Sequence, residues 1–397
     1  MRLGYYVSMG KDPYALATQP INGLSIPGTG ILPSIGYPPL WALIQAAVYR
    51  LYLLIGVDNR FLYYFLIKQE TIIGDLVAAF LLYKIIRLRS SEGDATAAFA
   101  FWMLCPITIV LSSIWGIFDQ LTLALVLFSL LALSSTTRSS LSEGMGVLLK
   151  GIPLIFLPGL AAGQKSTSRR LAYLSIAVIV AVTLSLAPYL VFQNWSLARL
   201  FATGFSTVNK ISNSANFWVI AYVWSQFLPI SPSVALAMTW FGYAWIVGIL
   251  AGYAFCLLGV GRDRINQQYL VIVLLFSTLI FYLTRISINE QYVVYFLGLG
   301  LIDRYWNGPK RWRLFNGLWL TVFVFFVFNN IYFTRFLSPL SVYYTYLNNT
   351  LTSGLSGDVR YGAMIACGLA FTSFCLLYLR SLYSEIRAYK GQRALKA

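Results

Sequence analysis

Apolar residues in this chain run in long unbroken stretches instead of alternating with polar ones. Residues 171–192 and 314–332 each hold about twenty positions without a charge, enough to cross the hydrocarbon core of a bilayer as a helix. Similar runs occupy 71–86, 95–113, 117–134, 233–260, 268–283, 290–302 and 361–382. Three further segments do not read as simple spans. Residues 144–163 contain Gly151, Pro153, Pro158 and Gly159 midway, which predicts a broken helical hairpin starting and ending on the same side. Residues 217–230 are too short to cross, and 40–57 carry Arg50; both are read as helices on the outer surface, the second amphipathic. The pattern predicts an all-α, polytopic membrane protein of about ten spans. Its broken and interfacial helices would surround an outer-facing cavity. No polar stretch is long enough to fold apart, so residues 1–397 form one membrane domain: an outer loop with the interfacial helix (1–70), a helical core (71–302), and C-terminal spans with a basic cytoplasmic tail (303–397).

Composition sharpens this. The hydrophobic fraction is 58% and the charged fraction 11%, against roughly half and a quarter in soluble domains. The formal charge of +16 follows the positive-inside rule if the loops at 84–94, 135–144, 163–170, 261–266 and 303–313 and the tail after Leu379 are cytoplasmic: 18 of the 29 basic residues then lie inside and 10 outside. That places the protein as a multi-pass component of the plasma membrane, or of an endoplasmic-reticulum-type membrane. The sequons Asn194-Trp195-Ser196 and Asn348-Asn349-Thr350 fall on the outer side. No basic stripe is interleaved with stacking aromatics, so nucleic acid is not an expected partner. Cys105, Cys256, Cys367 and Cys375 lie in apolar runs without metal-ligand spacing and are expected to pack. There is no histidine, which removes imidazole base catalysis and histidine-bound zinc.

Acid–base chemistry therefore falls to thirteen carboxylates. Glu92, Asp94, Glu143, Asp263, Asp303 and Glu385 sit in cytoplasmic loops and read as solvated charges; Asp12, Asp58, Asp119, Glu290 and Asp358 fall outside, with Glu70 near the border. Asp75 is alone in an apolar span, either a site residue or a hydrogen-bonded helix contact. Asp119 follows Trp115-Gly116-Ile117-Phe118 in a tight outer turn, where it is either a helix N-cap or a functional carboxylate at the cavity mouth. Lys150, before Gly151-Ile152-Pro153, either snorkels or holds a phosphate. Arg285 is an interfacial anchor or a second phosphate contact, close in sequence to Glu290, Gln291 and Tyr292. Tyr37-Pro38-Pro39 makes a rigid extended entry to the interfacial helix.

Taken in order, these elements resemble the GT-C class of membrane glycosyltransferases, and most closely the catalytic subunit of GPI mannosyltransferase I with its prokaryotic relatives. Gly10-Lys11-Asp12-Pro13-Tyr14 resembles that family's Gly-x-Ser-Pro-Tyr, with Asp12 at the serine position. Gly36-Tyr37-Pro38-Pro39-Leu40 looks like the entry to its interfacial helix, and Gly74-Asp75-Leu76 sits like its Asp-Leu-Leu span. Asp119 stands where the class places a second acidic residue. Lys150-Gly151-Ile152-Pro153 is similar to Lys-Ile-Tyr-Pro, and Asn289-Glu290-Gln291-Tyr292 to the late Gln-Tyr element.

The resemblance implies a transferase-like core at 71–302 that moves a hexose, with mannose as the family's sugar. The donor would be a polyprenyl-phosphate sugar and the acceptor a lipid or glycan at the outer face. Asp119 and Glu290 are then the catalytic candidates. Lys150, Arg285, Gln291, Tyr292, Tyr37 and Asp75 are the substrate-binding ones. No cofactor is assigned, no metal ligands are named, and a divalent metal is left open. In that family an acidic pair follows a first transmembrane helix, so one further span and an acidic residue are expected ahead of Met1. Two other readings stand beside this one: a transporter or flippase of lipid-linked sugars, and a non-catalytic subunit serving a partner in a glycosyltransferase assembly.

Overall fold

A computed structural model describes residues 2–15, 37–206, 214–229, 231–261, 265–330 and 357–391, and every regular element among them is helical. The second sequon and Asp263 lie outside the described residues. The chain opens with α1 (Arg2–Ser8), packed against α2 (Pro39–Ile55). Pro38 enters α2 extended, Pro39 supplies its first turn, and Gly56 at φ 71° ends it in the left-handed conformation that glycine adopts freely. Next comes α3 (Arg60–Arg87), which starts eleven residues before the apolar run at 71 because the Asn59 side chain caps the Phe61 N–H. Two charges on the way have partners on neighbouring elements: Glu70 accepts from Gln45 Nε2 at 2.6 Å and Lys68 donates to the Ile114 carbonyl at 2.9 Å.

The run expected to be one span at 95–113 is broken. A capping box between Ser91 and Asp94 starts α4 (Glu92–Leu104); α5 (Pro106–Ile109) then continues as a π-turn (Val110–Trp115) bent by 47° from α4. Pro106 has no N–H to give and forces Cys105 into extended backbone, and the Thr108 hydroxyl answers the Trp102 carbonyl set free there, at 2.7 Å. After the turn come α6 (Asp119–Leu131) and α7 (Thr136–Leu149), a 3-10 turn (Ile152–Ile155) and α8 (Leu157–Ala162). The hairpin breaks at Lys150-Gly151 as its glycine and prolines predict, but its first limb reaches back to Thr136. Next are α9 (Thr167–Val191), α10 (Leu197–Ser206) and α11 (Val219–Phe227). The apolar run at 233–260 also divides, into α12 (Pro232–Phe241) and α13 (Ala244–Leu257), where the Gly242 and Tyr243 amides turn back to the Met238 and Trp240 carbonyls. The chain continues through α14 (Gln267–Thr284), a 3-10 turn (Glu290–Tyr292), α15 (Val293–Trp306), α16 (Trp312–Asn329) and α17 (Gly357–Gly391).

Among the described residues, α9, α14, Pro309–Asn329 and Asp358–Gly391 are long and apolar enough to cross a membrane, and the bent α4–α5 pair makes a fifth. They differ in what they face. α14 packs against α13, α15 and α17, with Leu270, Ile272 and Leu275 fully buried. α9 turns Leu171, Ile179 and Leu190 outward. A helix apolar on its exposed side needs lipid there. Two glycines let helices approach closely. A Cβ on Gly74 of α3 would stand 2.8 Å from the Leu121 backbone nitrogen of α6, and one on Gly144 of α7 would stand 2.7 Å from the Ala177 carbonyl of α9.

Two carboxylates read as solvated loop charges are instead interior. Asp303 closes the last turn of α15, where Arg311 binds it through Nε at 2.8 Å, Tyr378 of α17 donates to it at 2.7 Å, and Arg311 also reaches Glu385 at 2.7 Å. Glu143 lies in α7 with no exposed surface.

Candidate functional site

Lys150 is the residue at which α7 stops. Its extended backbone (φ −156°, ψ 139°) carries the side chain away from the helix axis, and at Gly151 (φ −64°, ψ −12°) the chain turns at once into the 3-10 segment. Asp119 is the first residue of α6, one past the cap position held by Phe118. Unpaired amides at a helix start favour a carboxylate there. The two meet: Lys150 Nζ donates to Asp119 Oδ1 at 2.8 Å and Oδ2 at 2.6 Å, with 3% and 0% of the residues exposed. The Tyr295 hydroxyl adds a longer bond to Oδ1 at 3.3 Å.

Aromatic rings close round the ammonium. Tyr292, Tyr37 and Phe118 have centroids 5.0, 5.3 and 5.5 Å from Nζ. The Tyr37 ring meets Phe118 edge-on at 5.2 Å, and Trp41 of α2 stacks on Phe118 at 4.0 Å, so the entry to α2 forms one wall. Tyr14 holds that wall by donating its hydroxyl to the Tyr37 carbonyl at 2.8 Å. Burial, with the nearby Tyr189 and Asp12 oxygens, pushes the Tyr14 phenol above its ordinary range, which keeps the donating proton in place.

Tyr292 is shared. Its other neighbour is Arg285, whose guanidinium carbon lies 5.4 Å from the same ring and 5.1 Å from Phe281. Arg285 caps α14, and its loop is pinned from outside: Asn216 Nδ2 donates to the Arg285 carbonyl at 2.9 Å, and the Ala215 amide to the Ile288 carbonyl at 2.8 Å. Arg285 Nε is buried without a hydrogen-bond acceptor among the described residues. Gln291 is buried and its side chain reaches the Tyr37 hydroxyl.

Of the candidates read from the sequence, Tyr37, Asp119, Lys150 and Tyr292 therefore converge, with Gln291 and Arg285 at the edge. Glu290 and Asp75 are engaged elsewhere. Glu290 is buried and takes hydrogen bonds from the Asn329 and Asn330 amides at the end of α16. Asp75 accepts from Trp102 Nε1 at 3.1 Å and ties α3 to α4. Phe118, Trp41 and Tyr295 were not anticipated. Tyr295 had a readable signal, since it follows Tyr292 by three positions and so shares its helix face. Gln120, next to Asp119, is fully buried with neither amide atom hydrogen-bonded among the described residues.

No three His, Cys, Asp or Glu side chains gather among the described residues as a metal site would need. A groove of about 510 Å³, lined by Phe217, Trp218, Trp224, Val234 and Met238, lies between α11 and α12 and includes none of the candidate residues. What the site offers is one carboxylate, one ammonium and one guanidinium around a shared ring, mostly screened from water. No protein-family model matches the chain, and no curated protein matches it.

Proposed function

We propose that this protein is a membrane glycosyltransferase that moves a hexose from a polyprenyl phosphate to an acceptor hydroxyl at the outer face. The observation that carries the reading is the Asp119–Lys150 pair in its aromatic cage. Transfer from a glycosyl phosphate needs a base for the entering hydroxyl and cations for the departing phosphate, and one enclosed place supplies both. In the reaction the acceptor oxygen bonds the anomeric carbon while its proton passes to Asp119. The bond from that carbon to the phosphate oxygen breaks, and its electron pair leaves on the phosphate. Lys150 and Arg285 hold the leaving group, and Tyr37, Tyr292 and Gln291 flank the sugar. The apolar groove between α11 and α12 suits the polyprenyl chain. Short and bent elements complete about ten spans in this reading. α2 lies on the outer surface, the α7–α8 hairpin re-enters from the cytoplasmic side, and the tail stays inside.

Full-length protein in liposomes with a radiolabelled polyprenyl-phosphate hexose provides the test. Asp119→Asn should lose at least ~100-fold in transfer per folded molecule, the low end of what a positioned base contributes. Lys150→Met should weaken use of the donor. Transfer at the parental rate in folded Asp119→Asn would end the assignment. Lipid-linked sugar that crosses the bilayer without being transferred would favour the carrier, which uses intramembrane charge in the same way.

A further inference from the structure

Most buried polar groups here have partners; Glu143 does not. Its residue is fully buried in α7, and neither carboxyl oxygen accepts a hydrogen bond from any described residue. No lysine or arginine among the described residues lies within ion-pair reach of it; the nearest charged pair along α7, Lys150 with Asp119, is mutually satisfied. The surroundings are helix–helix contact. Gly144 brings α7 against the Ala177 backbone of α9, and the Ser142 hydroxyl donates to the Leu125 carbonyl of α6 at 2.7 Å. Tyr173 of α9 and Tyr253 of α13 are close enough to interact with Glu143 electrostatically, and neither brings a cation. A carboxylate stripped of water, donors and counter-ion is strongly disfavoured, whereas the neutral acid keeps only an ordinary polar cost.

We propose that Glu143 is a proton-binding site inside the helix core, and that a row of hydroxyl groups leads toward it from the exposed start of α7. That row stops short of the carboxyl, with no hydrogen bond across the gap. Ser139 lies one helical turn before Glu143; its oxygen is 2.9 Å from the Ser129 hydroxyl, which is 3.0 Å from that of Tyr173. Two residues further back, Thr137 and Arg138 are exposed. The occupant is the smallest cation, and hydroxyls that both donate and accept can pass one proton along that row. A transferase that must dispose of an acceptor proton and a proton-coupled carrier would each have use for it.

Infrared absorption of the full-length protein in liposomes reads the proton directly, through the carbonyl stretch of a protonated carboxylic acid. Wild type minus Glu143→Gln should show one such band, shifted in deuterated buffer, because Glu143→Gln keeps the shape and removes only the titratable oxygen. Tyr173→Phe should displace the band without abolishing it. Superimposable wild-type and Glu143→Gln spectra in this region between about pH 5 and pH 8, the window of physiological switching, would overturn the proposal. Should Glu143→Gln fail to fold, Tyr173→Phe decides: a displaced band supports the site and an unmoved band refutes it.

Discussion

Neither Lys150 nor Asp119 has solvent to fall back on, so each depends on the other. Removing one partner of a buried pair leaves an uncompensated charge and costs roughly 3–5 kcal/mol, whereas removing both is far milder. Lys150→Met alone and Asp119→Asn alone should therefore each lower the unfolding temperature sharply, and the double variant should recover part of the loss. A coupling of ~0.5–3 kcal/mol in that cycle, measured by thermal unfolding in detergent, is the expected result; strictly additive losses would mean the pair is open to water. Asp119 and Lys150 stood out in the sequence because a lone charge in an apolar stretch is conspicuous, whereas Phe118, Trp41 and Tyr295 are hidden in a chain that is 16% aromatic. Glu143 did not stand out. It follows Thr136-Thr137-Arg138-Ser139-Ser140-Leu141-Ser142, which reads as a polar loop. Those serines are compatible with a buried helix because they hydrogen-bond carbonyls: Ser139 that of Ser129, Ser140 that of Thr137, and Ser142 that of Leu125.

Helices in this protein approach through glycine, and the same substitution should have opposite effects at two of them. Gly74→Ala puts a methyl against the Leu121 backbone, which cannot rotate aside, so α3 and α6 must separate; overpacking of this kind costs roughly 1–3 kcal/mol. Gly93→Ala in the exposed first turn of α4 meets nothing nearer than 3.7 Å and should be neutral or stabilising by up to ~1 kcal/mol, because alanine is the better helix former. Unfolding midpoints of the two variants, side by side, check this; equal shifts would contradict the geometry. Hydropathy located most of the helices, and glycine with proline marked the break at Lys150-Gly151, but the breaks at Cys105 and Gly242 were not read. Pro106 was visible, yet a proline in an apolar run is also tolerated in an intact membrane helix. Here the Thr108 hydroxyl answers the Trp102 carbonyl that Pro106 sets free, a local contact without a sequence period that lets the break persist.

Across the whole molecule the charge partition and the long helix α9 make one joint prediction. If the basic loops are cytoplasmic, the two ends of α9 face opposite compartments. Ser168→Cys and Asn194→Cys are both exposed positions, and the native cysteines are buried except for the half-buried Cys367, which is replaced by alanine for the assay. In intact cells a membrane-impermeant thiol reagent should label position 194, and position 168 only after permeabilisation. The reverse pattern would invert the topology and move the site to the cytoplasmic face. Ser140, which reads as a loop position, is unsuitable as a reporter because it is buried. The clamp at the other end of α15 has a consequence in time. Arg311 follows Asp303 by only eight residues, but Tyr378 is made 75 residues later. At ribosomal speeds that is a wait on the order of 4–15 s. During it the growing chain holds an aspartate and an arginine whose partners Tyr378 and Glu385 are still unmade. α17, made after α15 and α16, therefore supplies the side chains that close the cluster around Asp303 and Arg311.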